Sequence, residues 1–169
     1  MNVDELINLC NRYSVIFDTS VIIDYIRTLL IRKNYERKRN ILSRIFNQCS
    51  RKAITTLIYE EILAGSKDDV LQFLDDFTIL PIDIDVAIFA SKLEKQIRNK
   101  GLKPKGENWR IDLFIAAFAY TSQCYILTKD DDFTKMLNCE KLNEIEYYVS
   151  DFLPVSEGSP HRFGFTSII

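Results

Sequence analysis

Short apolar runs alternate along this chain with longer helical repeats, and the runs stop at hydroxyl or acidic residues. Residues 14–17 form such a run, closed by Asp18-Thr19-Ser20, after which Ile22, Ile23, Ile26, Leu29 and Leu30 recur at helical spacing. Ile41, Leu42, Ile45, Phe46 and Cys49 give a second helical face. The brief β-branched stretch 53–56 then leads into a helix over 57–64, with Gly65 as its C-terminal cap. Val70, Leu71, Phe73 and Leu74 predict another helix, 78–80 a strand stopped by Pro81, 85–100 a long helix, and 101–109 a loop. An apolar helix over 111–123, a buried strand over 125–128, a short helix over 130–137 and a last strand over 146–149 complete the pattern. Asn2 with Glu5 reads as a capping box, which predicts an amphipathic helix over 2–13 ahead of the first strand.

Strands that alternate with helices imply an α/β fold, a three-layer α/β/α sandwich around a parallel sheet of about five strands. At 169 residues, 47% of them apolar, the chain suits one domain with a full core, expected over 1–153 with an irregular tail over 154–169. No apolar run approaches the roughly 20 residues of a membrane helix, and the first residues do not resemble a leader, so a cytoplasmic protein without a membrane partner is expected. Cys10, Cys49, Cys124 and Cys139 are far apart and lack metal-site spacing, and so read as buried, reduced thiols. The only histidine, His161, falls in the tail and is read as structural or exposed.

In a parallel sheet the carboxyl ends of the strands share one edge, and ligand sites form there. Asp18 ends the first strand and Asp130 follows the 125–128 strand. Glu61 lies a turn and a half into the helix after 53–56, and Asp112 opens the helix before 125–128. Each acid alone has a plainer reading, Asp18 as a helix cap, Asp112 as a partner of the helix dipole, and Glu61 or the Asp130-Asp131-Asp132 turn as solvated surface. Together they make a cleft of like charges that would raise one another's pKa unless a cation neutralised them. Carboxylates suit Mg²⁺ or Mn²⁺, and phosphodiester hydrolysis fits such a site without an imidazole base.

Ile16-Phe17-Asp18-Thr19-Ser20, Glu61-Ile62-Leu63-Ala64-Gly65, Asp112-Leu113-Phe114-Ile115-Ala116-Ala117 and Leu127-Thr128-Lys129-Asp130-Asp131-Asp132-Phe133 follow one another along the chain. In order and spacing, over about residues 15–149, they resemble the motifs of the PIN-domain family and, within it, the VapC-type ribonuclease toxins of toxin–antitoxin pairs. The resemblance implies a PIN-like sandwich and Mg²⁺- or Mn²⁺-dependent cleavage of RNA. Asp18, Glu61, Asp112 and Asp130 are then metal ligands, with Asp132 carried beside Asp130 as the fourth catalytic acid. Thr19, Ser20 and Thr128 become hydroxyls that orient acids or water. It also implies a cognate antitoxin, with the apolar residues of the helices after Asp18 available for that partner or for a homodimer. The helix before Asp18 and the tail depart from the compact family pattern.

The formal net charge of -2 gives no global attraction to RNA, but between Arg27 and Lys52 stand nine basic residues against one acid, Glu36. This segment is either a solvated hairpin or a phosphate-contacting surface, with Arg37, Lys38 and Arg39 as its substrate-binding candidates. Lys92, Lys95, Arg98, Lys100, Lys103, Lys105 and Arg110 offer a second strip, and Tyr35 and Trp109 are candidates for stacking on bases. A receiver-type phosphoacceptor domain is excluded because residues 78–81 supply no acceptor aspartate. A haloacid-dehalogenase-like phosphatase is excluded because Ser20 stands where its second aspartate is needed. The remaining alternatives are a catalytically silent PIN-like domain that binds RNA or protein, and a housekeeping RNA-processing nuclease.

Overall fold

The structure, a computed structural model, describes residues 1–30, 35–65, 72–102 and 109–155. In chain order its elements are α1 (Val3–Arg12), β1 (Val15–Phe17), α2 (Thr19–Leu30), α3 (Glu36–Gln48), β2 (Lys52–Thr55), α4 (Thr56–Gly65) and β3 (Thr78–Leu80). Then come α5 (Ile84–Asn99), α6 (Trp109–Ser122), β4 (Tyr125–Thr128), α7 (Phe133–Met136), β5 (Leu137–Lys141) and β6 (Tyr148–Pro154). The expected helix at Val70 and Leu71, the loop lysines Lys103 and Lys105, Arg32, Lys33 and His161 lie outside the described residues.

The strands form one six-stranded sheet in the order β3-β2-β1-β4-β6-β5. The first four are mutually parallel, with β1 paired to β2 on one side and to β4 on the other. The sheet is therefore mixed, since β6 runs antiparallel to β4 and β5 antiparallel to β6. β5 therefore runs parallel to β4, one strand removed, and the chain reverses only over residues 142–147, where the β5–β6 hairpin inserts β6 between them. β5 takes up residues otherwise expected as helix end and loop. The last strand runs to Pro154, into what was expected as tail.

Strand order reverses between β1 and β4, the strands on either side of that point being reached in opposite directions from β1. Because crossovers are right-handed, such a reversal sends helices to both faces and opens a crevice beyond the carboxyl ends of the two strands. Val15, Ile16 and Phe17 of β1 are all buried, as a central strand covered on both faces requires. Phe17 meets Phe46 and Phe77 edge-on, with ring centroids 5.2 and 5.3 Å apart.

The N-terminal helix is part of this core. Its capping box is formed, with the Glu5 N–H donating to Asn2 Oδ1 at 2.9 Å and the Asn2 N–H to Glu5 Oε2 at 2.8 Å. Val3, Leu6, Ile7, Leu9 and Cys10 are buried. The Met1 ammonium pairs with Glu140 of β5, and the Asn143 N–H donates to the Met1 carbonyl at 3.1 Å, which fastens α1 to the β5–β6 hairpin. All four cysteines are free, three of them buried. Among the described residues no helix is long and apolar enough to cross a membrane. Leu6→Ala is expected to cost about 2–5 kcal/mol in urea unfolding, as for a core leucine. A loss below about 1 kcal/mol would make α1 an appendage.

Candidate active site

The acids named from the sequence meet at the crevice between β1 and β4. Asp18 leaves β1 only 5% exposed, its N–H donating to the Leu127 carbonyl of β4 at 2.9 Å. Two hydroxyls hold its carboxylate from different strand ends, Ser20 Oγ donating to Oδ2 at 2.6 Å and Thr128 Oγ1 donating to the same oxygen at 2.9 Å. Burial pushes the Asp18 carboxyl above its ordinary range, partly offset by these hydroxyls and reinforced by the charge of Asp130.

Glu61 of α4 accepts from Thr19 Oγ1, at the start of α2, at 2.6 Å. Its carboxyl is also raised, first by burial and then, against the Thr19 hydroxyl, by the charges of Asp18 and Glu60. Asp112, in the first turn of α6, is pushed up to about 8, by burial and then by Asp18, Asp130, Glu61 and Asp132 in that order. Five carboxylates contributed by β1, α4, α6 and the turn after β4 thus share one field.

The turn after β4 divides its three aspartates. The Asp130 N–H donates to Thr128 Oγ1 at 3.0 Å, which ties the turn to the hydroxyl that holds Asp18, and Asp130 Oδ1 accepts from the Asp132 N–H at 2.8 Å. Carboxylate oxygens of Asp130, Asp131 and Asp132 lie within 4.8 Å of one another. Asp131 is exposed, however, and Asp132, buried at the start of α7, is ion-paired with Lys135. Asp130 has no such cation beside it among the described residues, and it acts on both Asp18 and Asp112. Asp18, Glu61, Asp112 and Asp130 act on one another electrostatically and offer only carboxylate oxygens, a donor type that suits a hard divalent cation, although among the described residues only Asp130, Asp131 and Asp132 bring their oxygens within 4.8 Å of one another.

The basic segment is less available than its sequence implies. Lys38 turns inward to Asp24, Nζ to Oδ2 at 2.6 Å, Arg44 pairs with Asp4, and Lys52 is buried with Nζ donating to the Phe46 carbonyl at 2.6 Å. Arg37 is exposed and Arg39 half-buried, and among the described residues no side-chain contact draws either toward the acids. Tyr35 is exposed and Trp109 packs partly on the core.

Asp24 of α2 is the residue the sequence reading missed. Its Oδ2 also accepts from Lys129 Nζ at 3.2 Å and from the buried Tyr147 hydroxyl at 3.0 Å, and the three donors outweigh burial and hold its carboxyl below the ordinary range. A lone acid among Ile22, Ile23, Tyr25 and Ile26 was the available signal. The Lys129 N–H donates to Ser20 Oγ at 3.2 Å, so this network touches the one around Asp18.

The raised carboxyls fix a pH dependence for the cation-free chain. A carboxyl whose folded pKa lies above its unfolded value binds a proton on folding, so stability falls as pH rises between the two values, here from about 4 to about 8 for Asp112. Cation-free protein should therefore melt lower at pH 8 than at pH 6. Asp112→Asn should flatten the slope and gain about 1–2 kcal/mol at pH 8, or roughly 2–8 °C, the side chain being partly solvated. A variant that melts lower than the parent at pH 8 would show that Asp112 is not under like-charge strain.

Residues 15–137, from β1 to the first residue of β5, match the PIN domain family. The fold is similar to that of VapBC2 from Rickettsia felis bound to a DNA fragment from their promoter, with 21% identity and a TM-score of 0.53 over 71% of this chain and 90% of that one. VapBC from Salmonella typhimurium, also DNA-bound, matches at 21% identity and a TM-score of 0.47 over 66% of this chain and 83% of that one. VapBC-5 from Mycobacterium tuberculosis, a member of the VapBC family of toxin–antitoxin systems, matches at 26% and 0.48 over 72% and 89%. No curated protein matches the chain. With the family match covering the strands and helices that carry all of the clustered acids, the chain belongs to the PIN domain family.

Proposed function

We propose that this chain is an endoribonuclease that hydrolyses RNA phosphodiester bonds with Mg²⁺ or Mn²⁺ held by Asp18, Glu61, Asp112 and Asp130, and that it is the toxin of a toxin–antitoxin pair. The observation that carries the reading is the gathering of these carboxylates at one strand edge, where burial first and then their mutual charge push Asp112 up to about 8. Such crowding costs stability, and perturbed carboxyls gathered in a cleft are characteristic of functional sites. The PIN family match and the fold likeness to a VapBC complex support the same reading.

Each residue has a task in this scheme. Ser20 and Thr128 fix the Asp18 carboxylate from two sides, and Thr19 fixes Glu61, so the ligands need little reorganisation. Lys135 neutralises Asp132, which leaves Asp130 as the acid of its turn that faces the cleft. Asp112, whose carboxyl is pushed up to about 8, would have to release its proton to hold a cation. A divalent ion bound there would polarise a phosphoryl oxygen and lower the pKa of its water. Such an activity needs restraint inside a cell, and a separately made protein that lays a helix over the exposed Leu30 and Leu63 and offers an arginine to the acids would provide it.

Incubation of purified chain with labelled RNA is the direct test. Cleavage is expected with Mg²⁺ or Mn²⁺ and not with EDTA, and Asp18→Asn or Asp112→Asn should lower it by about 100-fold or more while the fold stays intact. Cleavage that survives exhaustive chelation would refute the cation. In cells, the parent chain should arrest growth, Asp18→Asn should not, and co-production of a neighbouring small gene product should restore growth. Equal harmlessness of the two at matched soluble levels would favour a silent domain or an RNA-processing role.

A further inference from the structure

Beside Asp130 lies a cleft of about 340 Å³ lined by Lys129, Asp130, Asp131, Lys141, Glu146 and Tyr148. One wall is the turn after β4, and the other is the β5–β6 hairpin, most of which lies beyond the family match. Register makes the cleft a continuation of the acid site. Thr128, whose hydroxyl holds Asp18, is the Cα partner of Tyr148, and Tyr148 is the Cα partner of Lys141. Residues directly opposite on neighbouring strands project to the same face about 5 Å apart, so an aromatic ring and then an ammonium group follow the acids in a row across the sheet.

The lining sets two lysines against Asp130, Asp131 and Glu146, and a divalent cation held partly by Asp130 would offset that excess of acid. Asp24 carries one negative charge and is met by two ammonium groups, Lys38 at 2.6 Å and Lys129 at 3.2 Å, so the pinned cluster keeps a surplus positive charge and Lys129 extends into the cleft. Lys141 is exposed and has no ion-pair partner among the described residues. We propose that this cleft seats a nucleotide of single-stranded RNA next to the bond to be cut, with Lys129 and Lys141 on its phosphate and the Tyr148 ring against its base. The assignment rests on the ribonuclease reading for its choice of ligand. Asp131 and Glu146 also line the cleft and are exposed, and they oppose a phosphate. Neutralising an acid here must then have the opposite sign to neutralising a lysine.

The test is binding of a fluorescein-labelled single-stranded RNA of about 12 nucleotides, a length on the scale of known single-strand sites, to the full chain carrying Asp18→Asn. Anisotropy is read in Mg²⁺ across a KCl series. Lys141→Gln is expected to raise Kd about three- to tenfold and to reduce the salt slope by about 0.7, the value for one phosphate contact on a single strand. Tyr148→Leu should raise Kd about tenfold with the slope unchanged, and Tyr148→Phe should bind as the parent does. Glu146→Gln should lower Kd. Lys141 and Glu146 are exposed, so those two variants decide the matter even if Tyr148→Leu fails to fold. An unchanged Kd and slope for Lys141→Gln would overturn the assignment. Weaker RNA binding by Glu146→Gln would also overturn it, and would point to a basic protein segment as the occupant. Cleavage by the parent chain is scored separately, so a chain that binds RNA through the cleft without cutting it refutes the nuclease reading and not this one.

Discussion

Asp18 is a carboxylate held nearly out of water at the end of a central strand, with hydroxyls and not a cation against it among the described residues. A buried ionised group costs several kcal/mol unless its environment answers it, and much of the surrounding structure is arranged to make the position tolerable. The residue before it, Phe17, is clamped edge-on by Phe46 and Phe77, so the strand end cannot slide outward toward solvent. The backbone of Asp18 is tied to β4, and its side chain is tied to the hydroxyls of residues two and 110 positions away. The reversal of strand order at β1 and β4 leaves the room above it that the remaining acids fill.

The protein treats its inward acids in two ways. Asp24 is met by two lysines and a tyrosine hydroxyl, and Asp132 by Lys135, so both are settled internally. Asp18, Glu61 and Asp112 receive hydroxyls or nothing charged, and their carboxyls rise accordingly. The contrast lies within a few residues of chain, Asp24 against Asp18 on α2 and its cap, Asp132 against Asp130 in one turn. Local acidity alone therefore does not produce the site. What separates the two groups is whether a lysine reaches them.

The strand-end acids were legible because a parallel sheet converts sequence position into place. An acid that closes an apolar run must lie at the carboxyl edge, and Asp18 and Asp130 do. Glu61 and Asp112 followed from helices that leave or approach the same edge. β5 was not legible, since Leu137-Asn138-Cys139-Glu140-Lys141 has only a four-residue alternation and no β-branched or aromatic residue, and it is an edge strand made by pairing with β6. Asp24 was hidden because its partners come from α3, the turn after β4 and the loop before β6, contacts that no local pattern encodes. The same contact removed Lys38 from the basic surface that its neighbours in sequence seemed to share. The mixed character of the sheet was hidden with β5, because without that strand nothing in the sequence marks the last strand as the return arm of a hairpin that pairs antiparallel with β4.

The hydrogen bond between Thr128 and Asp18 spans 110 positions of sequence, and it also sets an order of events. β2 and β3 can line up beside β1 through nearby crossovers, whereas β4, which completes the crevice, comes after two further long helices. A chain emerging from its N-terminus exposes Asp18 and Glu61 well before β4 can gather them with Asp112, and contacts of such wide separation form late in folding. The repulsion among the acids is therefore deferred until nearly all of the apolar burial that can bear it is in place. Timing, as much as geometry, keeps the strained edge from interfering with the folding of the sheet that carries it.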